Sequence, residues 1–295
     1  MNEFSCKQIE QCLTENLIDL NKLQSKCDKI KHRILKNRKC EDVSEIVLQF
    51  INDIKQKYVG EKASKYKLVT SIECYILNQF HDAVAPIFYE AFKTEDELIF
   101  QKCLSLQNVK FSHNFDHVQL PASIVELASL DAHKTVHEKM ACMSACYDFI
   151  FADLKFAMVE LIAESGGDCS EIPGNIPIAN NQDIVLLLVE VILRAKCKHL
   201  YSNLYFVQSL GDLHLTDKDC ERVLLCFNEA IEVLTDINED SAGTFRKTCS
   251  EMDLKQYNNF MQELDNSAIC NSFERLSLTR ITRQISKSYE YIGKL

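Results

Sequence analysis

Seven glycines and four prolines in 295 residues constrain this chain more than any other feature. Together they make up under 4% of the sequence, where average usage is roughly 12%. Sandwiches and barrels need turn residues at the end of every short strand, and doubly wound sheets need glycine-lined phosphate loops, so both are excluded. An all-α protein remains. Its longest apolar run, Ile184 to Val189, meets Glu190 and resumes only for Val191, Ile192 and Leu193, far short of the ~20 residues that cross a bilayer. The opening residues MNEFSCKQIEQC lack the basic start and apolar stretch of a secretory signal, so a cytoplasmic, reducing compartment is expected.

The fourteen cysteines are scattered, and no C-x-x-C pair occurs. Zinc ribbons and redox dithiols need that spacing, which leaves most of these thiols as small buried hydrophobes. Charge is uneven: residues 1 to 70 hold 14 Lys+Arg against 10 Asp+Glu, and the remainder holds 19 against 33. A body of net charge -14 argues against nucleic acid as a partner, because phosphate binding needs clustered cations.

Apolar residues recur at helical steps from Cys6 through Ile9, Leu13, Leu20, Leu23, Cys27 and Ile30 to Ile34, with Asn16 the single break. A second stripe, from Val43 through Ile46, Val47, Phe50, Ile51 and Ile54 to Tyr58, follows a polar joint at 36 to 42. Residues 1 to 65 therefore read either as an antiparallel hairpin or as a two-chain coiled coil through residues 6 to 34. Lys26, Lys29, Lys31, Arg33, Lys36, Arg38 and Lys39, opposed by Asp28, form a basic stripe that could meet anionic lipid or simply face solvent. Residues 66 to 125 continue as a bundle segment with Ile72, Ile76, Phe80, Val84, Ile87 and Phe88 on one face, and Leu98, Phe100, Cys103 and Leu104 on the next helix. Pro86 is expected to end or bend the first of these. Further stripes are Cys146, Phe149, Ile150, Leu154, Ala157, Met158, Leu161 and Ile162, closed by Gly166 and Gly167, and a last helix over about 217 to 236. Between them, residues 165 to 182 are turn-forming, and IVLLLVEVIL from Ile184, apolar nearly all round, marks a central buried helix. After Asp240 the tail is polar with weak helical signals.

Chemistry is sparse. His113 with His117 and His133 with His137 have helical ligand spacing, with Cys142 and Cys146 near the second pair. Neither pair brackets the glutamate of an H-E-x-x-H site, and no metal or other cofactor is expected. P-loops, G-x-G-x-x-G and G-x-S-x-G are all missing. A helical acidic module of this kind is suited to gripping another protein.

Residues 180 to 210, NNQDIVLLLVEVILRAKCKHLYSNLYFVQSL, resemble the vacuolar-protein-sorting-nine (Vps-nine) domain, the exchange module for small GTPases of the Rab-five subfamily. In that family an Asp-Asp pair opens a buried helix. A Ser-Asn-(apolar)-x-(aromatic)-(apolar) sequence follows, here Ser202, Asn203, Leu204, Tyr205, Phe206 and Val207. Residues 127 to 150 and the CFNEAIEVL of 226 to 234 are similar to its preceding segment and closing helix. Residues 72 to 104 resemble the bundle in front of the domain, most nearly in the member that bears ankyrin repeats. The resemblance covers about 70 to 237 and implies an all-α Vps-nine domain at 126 to 240 with the N-terminal helices packed on it.

The resemblance also implies a mechanism. An aspartate finger reaches the phosphate-loop lysine of the GTPase and disfavours magnesium and phosphate, while an apolar groove holds the switch regions apart. A Tyr and a Thr near the start of the closing helix bond to the GTPase. Here the first acidic position falls on Gln182 and the second on Asp183; the Pro position is Leu186, the Tyr position Arg222 and the Thr position Leu225. Asp183 is the remaining candidate for the finger, with Gln182, Leu186, Asn203, Tyr205, Arg222 and Leu225 as partner-binding positions. Asp183 has a plain structural reading as a first-turn acid favoured by the helix dipole, and Asn203 one as a cap. The expected partner is a Rab-five-subfamily GTPase at endosomes, with exchange weak or lost; the alternative is a trafficking scaffold that self-associates through residues 6 to 34.

Overall fold

The computed structural model describes residues 5–37, 39–59, 66–106, 118–164, 176–178, 181–211, 218–237 and 250–252. In chain order these form helices α1 (Cys6–Glu15), α2 (Leu20–Ile34), α3 (Cys40–Tyr58), α4 (Tyr66–Ala91), α5 (Lys93–Ser105) and α6 (Pro121–Ala128), then a single 3-10 turn (Leu130–Ala132). Helices α7 (Val136–Glu164), α8 (Asn181–Ala195), α9 (Leu200–Leu210) and α10 (Lys218–Asp236) complete the set. The protein is all-α, apart from two three-residue strands, β1 (Ile176–Ile178) and β2 (Ser250–Met252), which pair antiparallel. Two compact units result: residues 2–158 with 181–247, and a second made of Met1, 159–180 and 248–295 that contains the β1–β2 pair. Among the described residues, no helix is long and apolar enough to cross a membrane.

The long first helix expected over residues 6 to 34 is two helices. Ser5 and Gln8 form a reciprocal capping box that starts α1. Asn16 ends it by donating its amide to the Cys12 carbonyl at 2.8 Å, and Leu17 then adopts a left-handed φ of 60°. Asp19 accepts from the Lys22 backbone N–H at 3.1 Å and opens α2. Two short polar side chains that bond the backbone locally outcompete one more helical turn. The periodic stripe survives the break, but it is consumed within the chain: Ile9, Cys12, Leu13, Leu23, Cys27 and Ile34 are buried, and α1, α2 and α3 each pack on α4. A seam for a second chain is therefore not what residues 6 to 34 present. Across the interface Phe50 meets Phe80 at 5.6 Å between centroids, and Lys55 pairs with Glu73 at 2.5 Å.

Pro86 neither ends nor replaces a turn of α4, which runs on to Ala91; it removes one backbone donor on an exposed face. The inward face of α5 carries Asp96, Ile99 and Cys103, so Leu98 and Leu104, expected inside, are 49% and 42% exposed. The core narrows onto α8. Every residue from Ile184 to Leu193 is at most 8% exposed, because α5, α6 and α10 all pack on this helix. Buried residues of α7 extend from Val136 to Leu154. The side chains of Ala157, Met158, Leu161 and Ile162, together with Gly166, Gly167 and the tail beyond Met252, lie outside the described residues; within the tail, 250–252 is strand rather than helix.

Candidate functional site

The site residues expected from the sequence lie on α8, α9 and α10. At the opening of α8 the chain exposes Gln182 and buries Asp183, which is 7% exposed. One turn on, Leu186 is 8% exposed and belongs to the core. On α10, which packs directly on α8, Arg222 and Leu225 face outward, with Leu225 55% exposed. The Arg222 guanidinium lies 3.3 Å from Asp219 and 5.9 Å from the centre of the Tyr147 ring on α7. Burial raises the Asp148 carboxyl to about 6, with Arg222 pulling the other way, and raises Asp153 to about 7. The expected neighbours on α10 are thus both outward-facing, whereas the two side chains that open α8 point to opposite environments.

Ser202 and Asn203 are wholly buried, at 0% exposure, and each is the centre of a polar network that sequence reading missed. Asp96 of α5 accepts from the backbone N–H groups of Tyr201 at 2.9 Å and Ser202 at 3.2 Å, and from the Ser202 hydroxyl at 2.5 Å. His199, the N-cap residue of α9, makes no side-chain cap bond, so a carboxylate from another helix satisfies the donors that α9 leaves open. Burial raises the Asp96 carboxyl above its ordinary range, and the Ser202 bonds work to lower it. Asn203 accepts from Lys139 Nζ at 2.7 Å and donates to Asp131 at 2.7 Å; Asp131 also accepts from the Lys198 backbone at 3.1 Å. Lys139 is 1% exposed, its ammonium sits 5.6 Å from the Phe206 ring centre, and burial lowers its pKa to about 8. Asn203 therefore presents no surface to a visitor; it ties α9 to α7 and the 3-10 turn. Tyr205 is half-buried against Phe92 at 4.3 Å and Phe88 at 6.1 Å, again joining helices.

The missed residues had a signal. Lys139 occupies the apolar phase of α7 between Val136 and Met143, and Asp96 the phase shared by Ile99 and Cys103. A charge in a buried stripe implies a partner on another element.

Beside Asp96 a cleft of about 470 Å³ is lined by residues that include Tyr89, Phe100 and His199. The His199 ring stacks on Tyr89 at 4.0 Å, and its Nδ1 is 3.5 Å from Asp96. Here Ser202 donates to the acid and not to the imidazole, so the trio is not a nucleophilic relay. Of the histidine pairs, His113 and His117 lie outside the described residues, while His133 Nε2 meets the Ser129 hydroxyl at 3.2 Å and His137 is buried. Among the described residues, no group of three His, Cys, Asp or Glu side chains is arranged to hold a metal ion. Burial raises the thiols of Cys142 and Cys146 above the ordinary range, away from nucleophilic use.

No curated protein matches the chain at a significant level. Residues 121–239 match the family described as the vacuolar sorting protein 9 (VPS9) domain, a span that runs from the first residue of α6 to just beyond α10. With α8 buried at its centre and α10 packed alongside, residues 121–239 form a VPS9 domain, which indicates an exchange-factor-like regulator of Rab GTPases in trafficking.

Proposed function

We propose that this chain binds a small GTPase of the Rab-five subfamily over the α8–α10 face, as a cytoplasmic protein peripheral to endosomal membranes, and promotes GDP release weakly or not at all. The observation that carries this reading is the inversion at the start of α8: the exposed side chain is the neutral Gln182, and the acid behind it, Asp183, is 7% exposed.

A GTPase retains its nucleotide through a phosphate-loop lysine, backbone amides and a magnesium ion. Displacing those contacts calls for a carboxylate that can reach the lysine. An amide offers it only a dipole, and the exposed Arg222 would meet it as a like charge. What the face retains is apolar and hydrogen-bonding surface, with Leu225 outward on α10, which can hold a partner without opening its nucleotide site. Asp183 in the first turn of α8 then acts as a stabilising acid at a helix N-terminus.

Release of fluorescent GDP from a panel of Rab-five-like GTPases tests this. Native chain at micromolar concentration should bind at least one of them and leave its release rate nearly unchanged. Restoring the family's groups with Gln182→Asp, Arg222→Tyr and Leu225→Thr together should accelerate release. Rapid exchange by the native chain that Asp183→Ala abolishes would make Asp183 the finger and overturn the inversion argument; failure to bind any of the panel would remove the partner assignment.

A further inference from the structure

The outer face of α2 is strongly basic. Its inner face, Leu23, Cys27 and Ile34, is buried, and the helix packs on α4 with Gln24 tied to Tyr75 at 3.2 Å. Lys22, Lys26, Lys29, Arg33 and Lys36 recur at alternating steps of four and three residues, which puts them on one side of a helix. All five are exposed. The Arg33 and Lys36 turn continues past the formal helix end through the Lys36 N–H to Arg33 carbonyl bond at 3.2 Å. Asp19 engages Lys22 at 3.3 Å and Asp28 engages Lys31 at 3.6 Å, so among the described residues Lys26, Lys29, Arg33 and Lys36 remain as unpaired cations on a row about 15 Å long. The nearest following acids, Glu41 and Asp42, open α3, where its own dipole favours them.

We infer that this row on α2 is a docking surface for an anionic lipid membrane. The assignment rests only on the peripheral-membrane part of the proposed function and is independent of GTPase binding. Three features select a lipid surface over other polyanions. The row is straight and rigidly backed, as a flat charged sheet requires. It is built mostly from lysines, compact point charges suited to a diffuse potential, where bidentate phosphate recognition favours arginine. No Phe, Tyr or Trp stands on α2 to stack a base, its one exposed ring being the small imidazole of His32, and the chain beyond residue 70 carries 19 cations against 33 acids, which repels a nucleic acid that would wrap it. Leu35, 64% exposed, stands at the end of the row as an exposed apolar side chain, so attachment is chiefly electrostatic and reversible, and it is screened within a Debye length of about 8 Å.

Co-sedimentation of the full chain with phosphatidylcholine vesicles, with and without phosphatidylserine, tests the assignment. Binding should require phosphatidylserine and vanish in high salt. Each cation neutralised should weaken it about fivefold, so Lys26→Gln, Lys29→Gln, Arg33→Gln and Lys36→Gln together should reduce it at least about a hundredfold. Lys93→Gln with Lys198→Gln, exposed cations elsewhere, should leave it unchanged. The four-site variant keeps the buried face of α2, and an unchanged urea midpoint would show that it is folded. Equal binding by native and four-site proteins, or none by the native chain, overturns the proposal. So does a salt-sensitive dimer lost in the four-site variant, which would make a second copy the occupant, or tighter stripe-dependent binding to single-stranded RNA than to the vesicles at matched salt.

Discussion

Replacing Asn203 by leucine, close in volume but without hydrogen-bonding groups, would remove the centre of the Lys139–Asn203–Asp131 network. The native Lys139 ammonium is 1% exposed, and its pKa, lowered from 10.5 to about 8 by burial, means that keeping it charged at neutral pH already costs about 3 kcal/mol. Its bond to Asn203 at 2.7 Å and the Asn203 bond to Asp131 at 2.7 Å each involve a charged group, worth about 1.5–3 kcal/mol apiece. Loss of both predicts a destabilisation of about 3–5 kcal/mol at neutral pH, a large part of the ~5–15 kcal/mol typical of a domain. Because the folded-state pKa is depressed, the unfolded chain binds the proton more tightly between about 8 and 10.5. Stability therefore rises with pH across that window as the buried amine discharges, and the penalty of Asn203→Leu should shrink there. Pairing it with Lys139→Met removes the stranded charge, so the double variant should recover a substantial part of the loss. Urea denaturation followed by circular dichroism, at neutral pH and again near pH 9.5, measures all of this. A cost below about 1 kcal/mol for Asn203→Leu, or a double variant no more stable than the single, would refute the network's role.

Three further expectations follow from other sites. Asp96→Ala strips the acceptor from the Tyr201 and Ser202 N–H groups and from the Ser202 hydroxyl; it should cost about 2–4 kcal/mol in urea titrations and raise hydrogen exchange in the first turn of α9. Gly211→Ala would set a methyl 2.4 Å from the Val207 carbonyl oxygen and 3.3 Å from Val136, so a loss of about 1–3 kcal/mol is expected at the α9–α7 contact, read as a lowered Tm. Asp153 is raised from 3.8 to about 7 by burial; its folded form binds the proton more tightly, so stability is lost as pH climbs through that interval. Asp153→Asn should accordingly be more stable than native at about pH 8, the advantage fading toward about pH 4, and a pH-independent difference between the two proteins would refute this.

Much of the architecture was readable in the amino-acid order. The scarcity of glycine and proline dictated helices, and the unbroken apolar character of Ile184 to Leu193 marked the buried centre, since no orientation of such a helix leaves a face for water. The Ser202-Asn203 sequence carried the family likeness that the match over 121–239 supports. Local competition was harder to read: nothing in the periodicity shows that Asn16 and Asp19 win against continuation of α1, because a cap bond and a helical bond differ by a fraction of a kcal/mol. Phase errors on α5 have a similar origin, with Leu98 and Leu104 outside and Asp96 inside, since a stripe alone does not say which polar residue has a partner waiting.

Sequence by itself therefore settled the class of fold, the central helix and the absence of an acid at position 182, for these depend on residue type and spacing along one strand of covalent chain. Tertiary structure decided who meets whom. It spent the stripe of residues 6 to 34 on α4, drew Lys139, Asn203 and Asp131 from three elements into one buried chain of bonds, and turned Gln182 outward while enclosing Asp183. The first two are contacts between residues far apart in sequence and the third a matter of which side chain the packed helices enclose, and their free energy exists only once packing has excluded water.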